Sequence, residues 1–183
     1  MAIVHQTQGR AGRRGILSRL RRDRSGAVLM EFAFVAGPFI ALLLASLQTA
    51  LIFFGDQLIE TATQEASRAI LTGEAQKNGM TQAQFKAMAC TKLPNFMSCN
   101  DLSVDVVKVN SWSTAPTGSP TITYSGGTPT LPNRYTLGGP SDIVMVRLMY
   151  PWNVVGAEGL NLASMQNGQY LMIGTTVTRT EPY

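Results

Sequence analysis

Catalytic equipment is scarce in this chain of 183 residues: it has one histidine, His5, two cysteines, and no glycine-rich phosphate loop of the Walker or dinucleotide type. A serine or cysteine nucleophile needs a base held beside it, and the only imidazole lies in the first few residues. Two thiols and that remote histidine leave the usual four-ligand zinc site incomplete. Charge is scarce as well, and between Phe32 and Gly55 it is absent, with Ser46, Gln48 and Thr49 the only polar interruptions. That lack argues against a soluble core helix, which would show a polar face.

What charge there is sits unevenly. The formal net charge of +4 invites a nucleic-acid reading. Arg10, Arg13, Arg14, Arg19, Arg21, Arg22 and Arg24 against Asp23 give residues 1–26 a net charge of +6, however, and leave −2 for the remainder. No basic stripe beyond the tail extends a phosphate-binding surface, so nucleic acid is not an expected partner. A short basic tail directly before a membrane-length apolar run reads instead as a cytoplasmic flank.

At about 1.5 Å per residue, the apolar run crosses the roughly 30 Å hydrocarbon core as a helix. Asp56, Glu60 and Glu65 follow its other end, so the positive-inside bias puts the N-terminus in the cytoplasm and the C-terminal part outside. A cleaved secretory signal fits less well, because the run stays apolar past every small residue. The expected organisation is a basic leader over 1–26, a transmembrane helix over 27–55 and an extracytoplasmic domain over 56–183. Within the span, Ala33, Gly37, Ala41, Ala45 and Thr49 recur every fourth residue. They form a small-residue stripe on which another helix can pack, unless they reflect only the frequency of alanine and glycine in membrane helices. Pro38 cannot donate its backbone hydrogen bond and is expected to kink or loosen the helix near Phe34.

Glu31 stands at the join between tail and span. A carboxylate carried to the bilayer centre costs on the order of 2.5 to 3.5 kcal/mol, so something must compensate it. In one reading Glu31 sits partly solvated at the interface near Arg24. In the other, its place as the fifth residue after Gly26 in "SGAVLMEF" matters.

That stretch resembles a class III prepilin-type leader: basic tail, glycine, four small or apolar residues, then Glu-Phe opening the transmembrane helix. The chain is similar to the TadE-like minor pilins or pseudopilins of the tight-adherence (Flp-type) pilus system. The resemblance continues through "IETATQEASRAILTGEAQKNGMTQAQFKAMAC" and into the ending "VTRTEPY", which departs from the family's usual Arg-Asn-Glu-Pro at Thr180. It is weakest between Ser111 and Pro140. The resemblance implies cutting by a prepilin peptidase after Gly26, Ala27 as the new N-terminus, and Glu31, followed by Phe32, as the acid used in assembly. Cleavage would create an α-amino group, mostly protonated at neutral pH, that attracts a carboxylate strongly in apolar surroundings, whether in the same subunit or a neighbour.

Beyond Gly55 the helical period persists, with Leu58, Ile59, Ala62, Ala66, Ala69 and Ile70 on one side and Gly73 as its cap, so one helix from about Ala27 to Thr72 is expected. "TQAQFKAMACTKL" predicts a short helix capped by Thr81 and burying Phe85 and Met88. Four β-rich segments follow, beginning at Leu102, Thr121, Asp142 and Gln169. The expected fold is α+β and pilin-like, a long helix packed on an antiparallel sheet of about four strands. Residues 111–140, rich in Ser, Thr, Pro and Gly, read as a long hairpin excursion or surface loop. Asp101 and Asp105 read as a solvated strand edge, and Trp112 and Trp152 as filling the core or its rim. Cys90 and Cys99 lie outside the cytoplasm in this scheme, where disulfides persist, and are expected to pair.

The whole predicts a non-catalytic minor pilin in the bacterial inner membrane, needing no cofactor or metal. Its expected partners are other pilin and pseudopilin subunits, the prepilin peptidase and membrane lipid. The alternative is an uncleaved single-span anchor carrying an extracytoplasmic binding module. An anchored enzyme lacks a candidate base or metal site.

Overall fold

A computed structural model describes residues 25–154 and 162–182. The arginines of the tail, including Arg24, together with His5 and the terminal Tyr183, lie outside the described residues. The first helix, α1, spans Ser25–Leu71 and includes Pro38. Its residues up to Leu44 belong to one compact unit, and Ala45 onward to a second.

In the first unit every residue from Gly26 to Leu44 is exposed except the half-buried Ala36. Among the described residues α1 is the one helix long and apolar enough to cross a membrane, and its most apolar window has no buried residue.

The second unit holds the rest of the architecture. From Ile59 to Ile70, α1 buries Ile59, Ala62, Thr63, Ala66, Ser67, Ala69 and Ile70, the predicted face with two small polar residues added. Gly73 takes the left-handed conformation (φ 73°), and its N–H reaches the Ile70 carbonyl at 3.1 Å, which ends α1 as expected. A one-turn helix, α2 (Glu74–Lys77), then leads to α3 (Gln82–Cys90). Thr81 and Gln84 form a reciprocal capping box at its start. Phe85 is buried as predicted, while Met88 is only half-buried.

Strands β1 (Ser103–Val109), β4 (Ile143–Asn153) and β5 (Gln169–Arg179) form an antiparallel sheet in the order β1-β4-β5. The expected fourth strand does not join it. Thr123–Ser125 (β2) pairs instead with Thr128–Thr130 (β3) in a separate hairpin. Gly126 and Gly127 both have positive φ (57° and 83°), as a two-residue hairpin turn requires. Residues 111–140 are thus a hairpin excursion with structure of its own.

The hairpin covers the sheet's second face. Val104, Val106, Val144, Val146, Leu148 and Tyr150 pack with Ile59, Ala62 and Phe85 in the main core. Met149 and Leu171, on the opposite side of the strands, pack with Met165, Ile122 and Leu131. Burial on both faces explains why β4 is an almost unbroken apolar run rather than an alternating one.

Helix and sheet come close together at Gly174 on β5. A Cβ there would overlap the Thr63 hydroxyl and lie 2.7 Å from the Ile59 carbonyl oxygen, so only glycine admits the helix backbone. Thr63 cannot easily retreat, since it is fully buried and its hydroxyl donates to the Ile59 carbonyl at 2.7 Å. At Gly55 an added methyl would meet only the end of the Met172 side chain, which can move. Gly174→Ala is therefore expected to destabilise the body by about 1–3 kcal/mol through overpacking. Gly55→Ala should cost clearly less in the same urea titration of the detergent-solubilised chain.

Candidate functional site

The residues expected to be used in processing and assembly, Gly26, Ala27, Glu31 and Phe32, all lie on α1 and are exposed. Glu31 follows Ala27 by four residues and so shares its face of the helix.

Helical phase separates Glu31 from the small residues. At about 100° per residue, Ala33 points some 200° away from Glu31. Ala33, Gly37, Ala41 and Ala45 advance by about 40° at each step, so the stripe winds back toward the Glu31 side as it nears the body. Ala33, Gly37 and Ala41 are exposed, Ala45 is buried, and nothing lies within 4 Å of where a Gly37 side chain would stand.

Cys90 and Cys99 are bonded, with their Cα atoms 5.6 Å apart. The bond joins the last residue of α3 to a 3₁₀ turn, Cys99–Asp101, that enters β1. Replacing both by serine is expected to cost about 2–3 kcal/mol in the chain-entropy view, measurable by urea unfolding under oxidising conditions.

Asp105 corrects the sequence reading. Asp101 is exposed, but Asp105 is fully buried on β1. Its two carboxylate oxygens accept from the Arg134 Nε and guanidinium nitrogens at 2.9 and 2.7 Å, and Oδ1 also accepts the Arg134 backbone N–H at 3.1 Å. Across the strand pair stands Arg147, also buried, whose guanidinium donates to the Pro116 and Gly118 carbonyls and to the Thr175 hydroxyl. Burial pushes the Arg147 pKa down, partly offset by the Asp105 charge. The group ties the 111–140 segment to the sheet from two sides. Sequence reasoning missed it because the partners lie 29 residues apart in a stretch that reads as loop. The one available signal was a lone arginine inside the apolar run "IVMVRLMY". Arg134→Met should cost about 1–3 kcal/mol, the loss of hydrogen bonds to a buried carboxylate from a side chain that is itself 56% exposed, with Arg147 still facing Asp105. The double variant Asp105→Leu with Arg134→Met should cost more, not less, in the same unfolding titration, because it leaves the buried Arg147 guanidinium without the Asp105 charge that faces it.

The two ends of the body differ. At the Asp56 end, the Asp56 carboxylate accepts from the Tyr170 hydroxyl at 3.0 Å and from the Ile173 N–H; burial pushes its pKa up, more than these bonds hold it down. At the far end, Lys108 pairs with Asp142 at 2.8 Å, and this bond with the Gly139 N–H holds the Asp142 carboxyl below its ordinary range. Trp112 lies there and is exposed, contrary to its expected place in the core or rim, whereas Trp152 does pack against the main core. Thr180, where asparagine was expected, is buried and donates to the Gly139 carbonyl at 2.6 Å, so this position is used within the body. Tyr135, its pKa pushed up to about 12 by burial, stays protonated and donates to the Met80 carbonyl. Among the described residues, no three His, Cys, Asp or Glu side chains are grouped to hold a metal.

These features define a class: among the described residues, one apolar helix long enough to span a membrane and exposed over its first part, Gly26 to Leu44, together with a disulfide-stapled α+β body. The family model described as TadE-like protein matches residues 26–68, from the proposed cut site to the buried stretch of α1. No curated protein and no solved structure matches the chain.

Proposed function

We propose that the chain is a non-catalytic minor pilin or pseudopilin that takes part in assembling a tight-adherence pilus. The observation that carries this reading is the coincidence at residue 26: the TadE-like match begins at the glycine that the leader pattern marks as the last residue before the cut. Prepilin peptidase removes residues 1–26 on the cytoplasmic side, and Ala27 becomes the N-terminus. The new amino group and the Glu31 carboxylate then lie one helical turn apart, or pair between neighbouring subunits, where low dielectric strengthens the attraction. The span stays in the inner membrane with the body in the periplasm, and the small-residue stripe packs against a neighbouring pilin helix.

Mass spectrometry of the N-terminus, after expression with and without the host's prepilin peptidase, tests the processing step. A chain starting at Ala27 only when the peptidase is present is the expected result; an intact leader in both cases would favour an uncleaved anchor carrying a binding module. Glu31→Gln tests the assembly step. It should leave membrane insertion intact, since it removes a charge from the apolar segment, yet abolish association with other pilins, and unchanged co-purification with them would sink the role.

A further inference from the structure

We propose that the end of the body from which α1 emerges is an interfacial anchor, seating on lipid headgroups through Phe96, Trp152 and Tyr170. The inference rests on the reading of residues 27–55 as a membrane span. Its geometry lies wholly in the second unit. Helix α1 and strand β5 run side by side, since Asp56 is bonded to Tyr170 and Ile173 near the start of β5 while the Leu71 carbonyl accepts the Glu181 N–H at 2.8 Å beyond its end. Tyr170 is therefore level with Asp56, one residue past the end of the uncharged run. Trp152 pairs with Tyr170 in the β4–β5 register and sits at the same level.

Phe96 is 59% exposed and meets Trp152 edge-on, with ring centroids 6.2 Å apart. It belongs to the loop closed by the Cys90–Cys99 bond, and that loop is pinned again where the Ser98 N–H donates to the Tyr150 hydroxyl at 3.0 Å. The ring is thus held outward, where in water it gains little. Around it stand uncharged amides, with Gln169 donating to Asn153 at 2.7 Å. Among the described residues, the groove there, lined by Phe96, Ser98, Trp152, Asn153 and Gln169 among others, contains Asp101 but no lysine or arginine; beside it Lys92 pairs with Glu65 at 3.0 Å and Lys86 donates to the Asn100 carbonyl at 3.2 Å. Half-buried aromatics beside neutral polar groups are the composition of the membrane–water interface, where an amphipathic ring has one side apolar and one wet. With Lys92 and Lys86 held by partners within the body, the attraction is expected not to depend on anionic lipid.

The chain's two tryptophans make the test internal. Trp112 lies at the opposite end, beside Ile143 and Arg179, about 30 Å along β4 from Trp152. The full-length chain is reconstituted in phosphatidylcholine vesicles containing a headgroup nitroxide lipid. Trp112→Phe leaves only Trp152 to report, and Trp152→Phe leaves only Trp112. Trp152 emission is expected to be quenched several-fold more than Trp112 emission, and adding Phe96→Ser should weaken that quenching. Flotation with the vesicles and resistance to alkaline extraction report the span separately. A chain that floats with Trp152 no more quenched than Trp112 overturns the anchor and leaves the span standing. A chain that does not float overturns both. Quenching confined to vesicles containing phosphatidylglycerol would assign the contact to charge and also overturn the aromatic anchor.

Discussion

The body depends on the close approach of α1 to β5 at Gly174. Because no side chain stands there, the Ile59 carbonyl and Thr63 come within contact distance of the strand backbone. The alanines at 62, 66 and 69 then lie flat on the sheet, with no long side chain holding the helix away. That separation sets the size of the main core, which is filled by valines from β1 and β4 and by Phe85 from α3. It also brings the two ends of the helical segment within hydrogen-bonding reach of β5, at Asp56 and at Leu71. Packing at protein-interior density leaves little room to recover from a methyl group inserted at such a point.

Local signals were legible in the sequence. The helix over 27–72, its glycine end, the Thr81 cap and the pairing of Cys90 with Cys99 depend on short spacings, and the structure has them. The second covered face of the sheet was harder to see, because what covers it is a polar, glycine-rich segment with no hydrophobic period. Two clues were present. Gly126-Gly127 between short β-prone stretches is a hairpin turn, and the unbroken apolar run of β4 indicates burial on both sides. Pro129 obscured the first clue, since a proline demotes a strand unless it is at an edge, and β3 has one neighbour only.

Asp105 illustrates a deeper limit. An acid at alternate positions from Val104 and Val106 reads as the solvent face of a half-buried strand. The reading fails because the polar face is itself covered, and the covering segment brings Arg134 and meets Arg147. Which of two faces water reaches depends on contacts far apart along the chain, and a single strand's pattern does not record them. The same applies to Thr180, which reads as part of a tail in the sequence but is buried and donates to the Gly139 carbonyl.

For the membrane end of the chain, helical phase sets a constraint on assembly that residue identities alone do not. Glu31 shares a face with Ala27, while the small residues begin on the opposite side at Ala33 and wind toward the Glu31 side only near Ala45. If Glu31 engages an amino terminus and the stripe engages a helix, the two contacts leave α1 in different directions at its start. One straight neighbour cannot satisfy both along their full length. If both contacts are made with other subunits, as proposed above, a subunit in a bundle meets at least two neighbours, one paired with Glu31 and one packed along the stripe. A helix built this way suits a helical array of subunits better than an isolated pair.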